Sequence, residues 1–176
     1  MLTGVKHSSC NHHDDRPSEL DISLLVIHNI SLPAGEFDGC HVEYFFAGCI
    51  NVDHHPSFHE IVDLRVSAHL FIRRDGEVIQ FVNFKQRAWH AGVSSFQGRE
   101  KCNDFSIGIE MEGTDDLAYS KSQYESLSEV TTLILEAYPK INLDRICGHS
   151  DIAPGRKTDP GEAFDWARYR KSLLTG

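Results

Sequence analysis

An α/β fold, a single domain with a central mixed β-sheet flanked by helices, is predicted by three features of this sequence. Short apolar stretches around 24–27 and 105–111 read as strands. Between and after them come segments with helical periodicity, the clearest at 121–138. A hairpin signature at 68–82 adds one antiparallel pair to the sheet. At 176 residues the chain has the length of one domain and can bury a core without disulfide staples.

The elements follow in order. Residues 1–20 are polar and aperiodic and read as an irregular arm, leaving 21–176 as the domain proper. Leu24, Leu25, Val26 and Ile27 form a continuous apolar run, the pattern of a strand buried on both faces, which ends near His28. Residues 31–55 carry Gly, Pro, Asn and His and predict a long irregular excursion. Phe58, Ile61, Val62 and Arg65 stand at helical spacing, so a short helix is expected over 56–64. In the hairpin, Leu70 to Ile72 and Val78 to Val82 flank Asp75-Gly76, a two-residue turn signal.

From 105 to 111, Phe105, Ile107, Ile109 and Met111 alternate with small or polar residues. A period of two puts Ser106, Gly108 and Glu110 together on the opposite face of that strand. The helix over 121–138 presents Tyr124, Leu127, Val130, Ile134 and Ala137 as one stripe. Ser120 and Gln123 make a capping box at its start, and Pro139 stops it. A short strand is expected over 145–149, then a Pro/Gly-rich loop over 152–161. A closing helix over 162–174 would turn Phe164, Ala167, Leu173 and Leu174 inward.

Composition excludes several classes of function. With 17 basic and 26 acidic side chains the net charge is −9, which disfavours nucleic acid and anionic membrane surfaces as partners. No apolar run approaches the ~18 residues of a membrane span. The opening MLTGVKHSSCNHHDD lacks the apolar core of a signal peptide, so a cytoplasmic location is expected. Cysteines stand at 10, 40, 49, 102 and 147, an odd number with no CxxC pair, which suits reduced thiols. Cys102 and Cys147 read as small buried hydrophobes. No GxGxxG, GxxxxGK[ST] or GxSxG occurs, so nucleotide and α/β-hydrolase chemistry lack a motif.

Eleven histidines turn attention to metal and proton chemistry. His28 and His149 each follow a strand, where sites collect in open α/β sheets. Each also fits a hydrogen-bonded histidine at a strand end. Asp159, in Lys157-Thr158-Asp159-Pro160-Gly161, fits two roles: a third ligand, or the N-cap of the last helix, with Pro160 and Glu162 as its next signals. Two neutral imidazoles and a carboxylate make an open zinc site with the fourth position left for water. Glu110 suits proton handling beside such a site, and Lys157 suits charge stabilisation; each also fits a solvated surface group. His55 and His59 lack the glutamate of HExxH and read, like His12 and His13, as surface histidines. His69, inside the hairpin, reads as a satisfied core or outer-shell imidazole.

Five blocks then carry a family resemblance: Leu25 to Ser31 (LVIHNIS), Arg65 to His69 (RVSAH), Arg87 to Gly92 (RAWHAG), Asn103 to Gly113 (NDFSIGIEMEG) and Gly148 to Gly161 (GHSDIAPGRKTDPG). Together they closely resemble the type-2 N-acetylmuramoyl-L-alanine amidases, in family order and from about residue 17 to the end. The resemblance implies the fold of those amidases and of the peptidoglycan-recognition proteins. It implies Zn2+ held by His28, His149 and Asp159, with Glu110 as catalytic acid/base and Lys157 assisting at the oxyanion. Asn29, Arg65 and Trp89 would line the substrate groove, and Lys101 stands where an arginine is expected. The implied activity is zinc-dependent hydrolysis of the amide between the lactyl group of (1,6-anhydro)-N-acetylmuramic acid and L-alanine in muropeptides, within cytosolic peptidoglycan recycling. The implied partner is an anhydro-muropeptide substrate, with no protein partner. A non-catalytic module of the same fold that binds peptidoglycan fragments is the alternative. Residues 41–59 diverge most and carry no implied site.

Overall fold

The computed structural model describes residues 1–174; the last two residues of the expected domain lie outside the described residues. In chain order the elements are β1 (Lys6–His7), β2 (His13–Asp15), β3 (Leu24–Ile30), α1 (His41–Phe46), β4 (Leu70–Ile72), β5 (Val78–Gln80) and β6 (Gln86–Ala88). There follow β7 (Ser95–Phe96), β8 (Arg99–Glu100), β9 (Ser106–Glu112), α2 (Lys121–Ala137), β10 (Ile146–Gly148), α3 (His149–Ile152) and α4 (Trp166–Leu174). A six-stranded mixed sheet takes the order β1-β5-β4-β9-β3-β10. Strands β4, β9, β3 and β10 run parallel, and β5 returns antiparallel to β4. The expected mixed sheet flanked by helices is therefore the observed fold.

The two faces of the sheet differ, and the difference creates the site. On one face Leu25, Ile27, Ile107, Ile109 and Met111 meet Tyr124, Leu127, Val130 and Ile134 of α2 and Tyr169 of α4 in the main core. Each such side chain contributes about 1.5–3 kcal/mol by leaving water. Helix α2 is seated by its capping box, with Gln123 N–H on Ser120 Oγ at 3.0 Å and Ser120 N–H on Gln123 Oε1 at 3.0 Å. The Gln123 amide also donates to the carbonyls of Ile72 and Glu112, tying the helix start to the ends of β4 and β9. On the other face the apolar side chains split into two smaller clusters. One holds Phe45, Phe46, Phe58, Phe71 and Ile79. The other holds Leu24, Val26, Phe105, Cys147 and Ile152. Strand β9 shows Ser106, Gly108 and Glu110 on this face, as its alternation requires.

Several expectations need correction. The first twenty residues are not wholly irregular: β1 pairs with β5 and β2 pairs with β6. They dock because the buried Arg16 donates to the carbonyls of Phe84, Asn103 and Ser106. The excursion over 31–55 contains α1. The helix expected over 56–64 is a 3-10 helix, Pro56–Glu60, closed by bonds such as Ile61 N–H to Phe58 O. The hairpin turn is longer than two residues: Gly76 N–H bonds Arg73 O, Arg73 N–H bonds Glu77 O, and only Gly76 takes positive φ. The strand expected over 145–149 is Ile146–Gly148, and His149 opens α3. The closing helix starts at Trp166 rather than 162, and it buries Tyr169 while Ala167 and Leu174 are exposed. Ala137 of α2 is also exposed. All five cysteines are free, with Cys102 and Cys147 buried as expected. Among the described residues no helix is long and apolar enough to cross a membrane.

Candidate metal centre

Parallel pairing of β3 with β9 and β10 brings distant histidines to one edge. His28 lies opposite Glu110 in the β3–β9 register, and Gly148 lies opposite Ile27 in the β3–β10 register. His149, one residue past β10, thus meets His28 across 121 residues of sequence. Asp159 arrives on the following loop, whose carbonyl folds back so that Ser150 N–H bonds Asp159 O at 3.0 Å. His28 Nδ1 lies 2.9 Å from His149 Nδ1, and Asp159 Oδ2 lies 3.0 Å from each. All three side chains are buried.

The donor set fits a cation. His149 Nε2 faces the carbonyl of Ala91 at 3.1 Å, and a carbonyl only accepts, so that nitrogen carries the ring's proton. His149 Nδ1 is thereby turned toward His28 Nδ1 and Asp159 Oδ2. Burial drives His28 down to about 4, so this imidazole is neutral at neutral pH. Burial works to raise Asp159, but its bonds to His149 and His28 outweigh it and hold the carboxyl well below its ordinary range. Two imidazole nitrogens and an anionic oxygen converging on one point repel one another unless positive charge sits among them. Nitrogen and oxygen donors of this kind suit zinc.

A cavity of ≈ 270 Å³ opens beside these three residues. His90, Glu110, His149, Lys157 and Asp159 stand among its polar lining, and Phe45 and Phe46 of α1 contribute to an apolar wall. Glu110 Oε2 is sealed from water and has no hydrogen-bond partner. Burial pushes this carboxyl well above its ordinary value, the Asp159 charge adds to the rise, and Lys157 opposes it. Lys157 is exposed at the mouth. The arrangement places a sealed carboxyl oxygen and an exposed ammonium beside the three-ligand cluster.

The remaining expected residues occupy varied positions. Asn29 lines the cavity, and its Nδ2 donates to Asp115 Oδ1 at 2.8 Å and to Pro160 O at 3.2 Å. Tyr119 OH donates to the same carbonyl at 2.8 Å, so two side chains clamp the loop that carries Asp159. Arg65 is exposed beside Leu64 and Val66, which line the cavity. Trp89 turns toward the N-terminal segment: its indole N–H donates to Asp14 at 3.0 Å and its ring stacks on His12. Lys101 lines a separate surface groove with Arg156 and Val93. Asp159 does not cap the last helix, which begins at Trp166. His55 and His59 do not share a face, because a 3-10 helix turns every three residues. His69 is a satisfied core imidazole, with Gly108 N–H on Nδ1 and Nε2 against Gln86 O. Three contributors escaped sequence reasoning. Phe45 and Phe46 sit on a helix of six residues, too short for a periodicity signal. His90 was visible only as one letter of a motif.

The fold and the cluster define an α/β protein with a candidate three-ligand metal centre, and comparison with known proteins gives its family. The chain belongs to the N-acetylmuramoyl-L-alanine amidase family, whose model matches residues 18–162. Within that family it is similar to 1,6-anhydro-N-acetylmuramyl-L-alanine amidase AmpD. The Escherichia coli K12 protein of that name is 57% identical over 169 residues, covering 96% of this chain and 92% of the relative. The Haemophilus influenzae protein is 55% identical over 173 residues, covering 98% and 94%. A crystal structure of a selenomethionine AmpD derivative superposes with TM-score 0.95 at 55% identity, covering 98% of this chain and 96% of that one. More distantly, Escherichia coli AmiD, solved in complex with the substrate anhydro-N-acetylmuramic acid-L-Ala-D-γ-Glu-L-Lys, gives TM-score 0.64 at 27% identity, covering 86% and 57%.

Proposed function

We propose that this chain is a zinc-dependent amidase of the cytosol. It cuts the bond between the lactyl group of 1,6-anhydro-N-acetylmuramic acid and L-alanine in muropeptides released during wall recycling. One observation carries the reading: the convergence of His28 Nδ1, His149 Nδ1 and Asp159 Oδ2 next to a carboxyl oxygen of Glu110 that lacks any protein partner. The names of the AmpD relatives and the ligand of the AmiD complex support the choice of substrate.

His28, His149 and Asp159 would hold the zinc. When bound, zinc supplies Lewis acidity, which polarises a carbonyl and acidifies water. Glu110 takes the proton of the attacking water and returns one to the departing alanine nitrogen, which leaves as an amine. Its unpartnered oxygen is free for both transfers. The Lys157 ammonium stabilises the oxyanion that develops on the former carbonyl oxygen. Arg65 meets a carboxylate of the stem peptide, for which a planar guanidinium is suited. Asn29 contributes at the groove while steadying the Asp159 loop, and Trp89, fixed by Asp14 and His12, contributes ring surface at the rim. A module that only binds wall fragments has no use for a buried, unpartnered glutamate, so Glu110 favours catalysis.

Mass spectrometry of anhydro-muropeptide incubated with the purified protein tests the reading. Free stem peptide and anhydro-sugar should appear, vanish after chelation and return with zinc. Intact substrate under zinc-replete conditions would reject it.

A further inference from the structure

We propose that His90 is a positioning residue for the metal site: seated on Gly108 and anchored by Ser106, it sets which nitrogen of His28 carries the proton. The inference rests on the zinc reading above. His28 Nε2 lies 2.9 Å from His90 Nδ1, and His90 Nε2 lies 3.0 Å from Ser106 Oγ. All three residues are buried.

A neutral imidazole has one N–H, so this chain of hydrogen bonds runs in one of two directions. In the first, His28 Nε2–H donates to His90 Nδ1, and His90 Nε2–H donates to the Ser106 hydroxyl. His28 Nδ1 is then a bare lone pair facing His149 and Asp159. In the second, His90 Nδ1–H donates to His28, and the His28 proton sits on Nδ1, where it blocks the ligand position. A hydroxyl accepts or donates with equal ease, so Ser106 supports the first direction whenever a cation demands it. Without His90 the buried Nε2–H of His28 would have no acceptor, a costly state away from water. His69 is no substitute, because its Nδ1 already accepts from Gly108 N–H.

The seat is specific. A Cβ at position 108 would lie 2.5 Å from His90 Cγ and 2.6 Å from Nδ1, so the ring rests where β9 has no side chain. Asn103 Oδ1 accepts from the backbone N–H of His90 at 3.1 Å and of Ala91 at 2.8 Å, fixing the segment from the other side. One face of β9 thereby supplies the anchor at Ser106, the seat at Gly108 and the acid at Glu110. Partners that orient a metal-ligating histidine in this way command ~10–100-fold in metal affinity.

The test measures zinc affinity of the full chain by competition with a chromogenic chelator. It also records which nitrogens of His28 and His90 are protonated, from long-range 1H–15N correlation spectra of the zinc-loaded protein. His90→Phe should bind zinc ~10–100-fold more weakly while retaining its circular dichroism spectrum. His90→Gln, whose amide oxygen accepts from Nε2–H, should recover most of that loss. The zinc-loaded unsubstituted protein should show both His28 and His90 protonated on Nε2. Undiminished zinc affinity in folded His90→Phe, or a His90 proton on Nδ1 in the zinc-loaded protein, overturns the inference. If His90→Phe does not fold, Ser106→Ala decides: weaker zinc binding supports the inference and unchanged binding overturns it. Failure of the unsubstituted protein to bind zinc would instead reject the zinc reading, whereas normal zinc binding by both the unsubstituted protein and His90→Phe would reject only the role of His90.

Discussion

Replacing Glu110 by glutamine separates chemistry from architecture. The side chain keeps its shape but can neither take nor return a proton. General acid–base groups contribute about 10²–10⁴ in rate, which corresponds to roughly 2.7–5.4 kcal/mol of barrier at about 1.36 kcal/mol per decade. Stability should move the other way. Glu110 Oε2 makes no hydrogen bond in the protein, and burial raises its pKa above that of the unfolded chain. A raised carboxyl pKa destabilises the folded state above the unfolded pKa, where the unfolded chain is already ionised. Glu110→Gln removes that penalty at neutral pH. The variant should therefore melt at the same temperature or higher, bind zinc undiminished, and lose kcat by the stated factor in a single-turnover assay on anhydro-muropeptide. Turnover within tenfold of the unsubstituted protein would refute the role of Glu110. A large drop in melting temperature would refute the account of its environment.

Three further outcomes are expected. Asp159→Ala should weaken zinc binding by more than the ~10–100-fold that outer-shell partners command; since α4 begins at Trp166, far-UV helicity should be unchanged, and retained zinc affinity would remove Asp159 from the ligand set. Arg16→Leu leaves the carbonyls of Phe84, Asn103 and Ser106 unpaired and should destabilise the fold by about 3 kcal/mol in urea unfolding; a change under about 1 kcal/mol would mean that the N-terminal strands dock by other means. Asp14 is held low by its bonds to Arg87 and Trp89. Its contribution is present above the unfolded carboxylate value and lost as pH falls through the folded one. Asp14→Asn should therefore cost a few tenths of a kcal/mol at pH 6, because the pair is partly exposed, and less at acid pH, where protonation of Asp14 removes the pair. Equal effects at both pH values would contradict the pairing.

Much of the fold was legible because local signals agreed with the final packing. The apolar run at 24–27 became the first half of β3, buried on both faces. The alternation over 105–111 correctly assigned Ser106, Gly108 and Glu110 to one face of β9, but Phe105 precedes the strand and packs in a different cluster from Ile107, Ile109 and Met111. Ser120 and Gln123 formed their capping box, and Pro139 ended the helix. The rest was decided by tertiary contacts that no window of sequence contains. The N-terminal strands exist because Arg16 finds three carbonyls far along the chain. The 3-10 turn at 56–60 and the late start of α4 depend on which side chains find room in the core, so Tyr169 goes inward and Ala167 does not. The three clustered donors were each visible as residues of the right chemistry. Their convergence required the strand order β10-β3-β9, and the family resemblance supplied it. His90 was hidden for a different reason: a buried imidazole beside Gly108 leaves no periodic mark.

Anomalous diffraction at the zinc absorption edge, from crystals of fully active protein, tests the central claim most directly. A single peak bounded by the side chains of residues 28, 149 and 159, lost together with activity on chelation, is the predicted result. Full activity in protein whose crystals carry no such peak at those residues would contradict it.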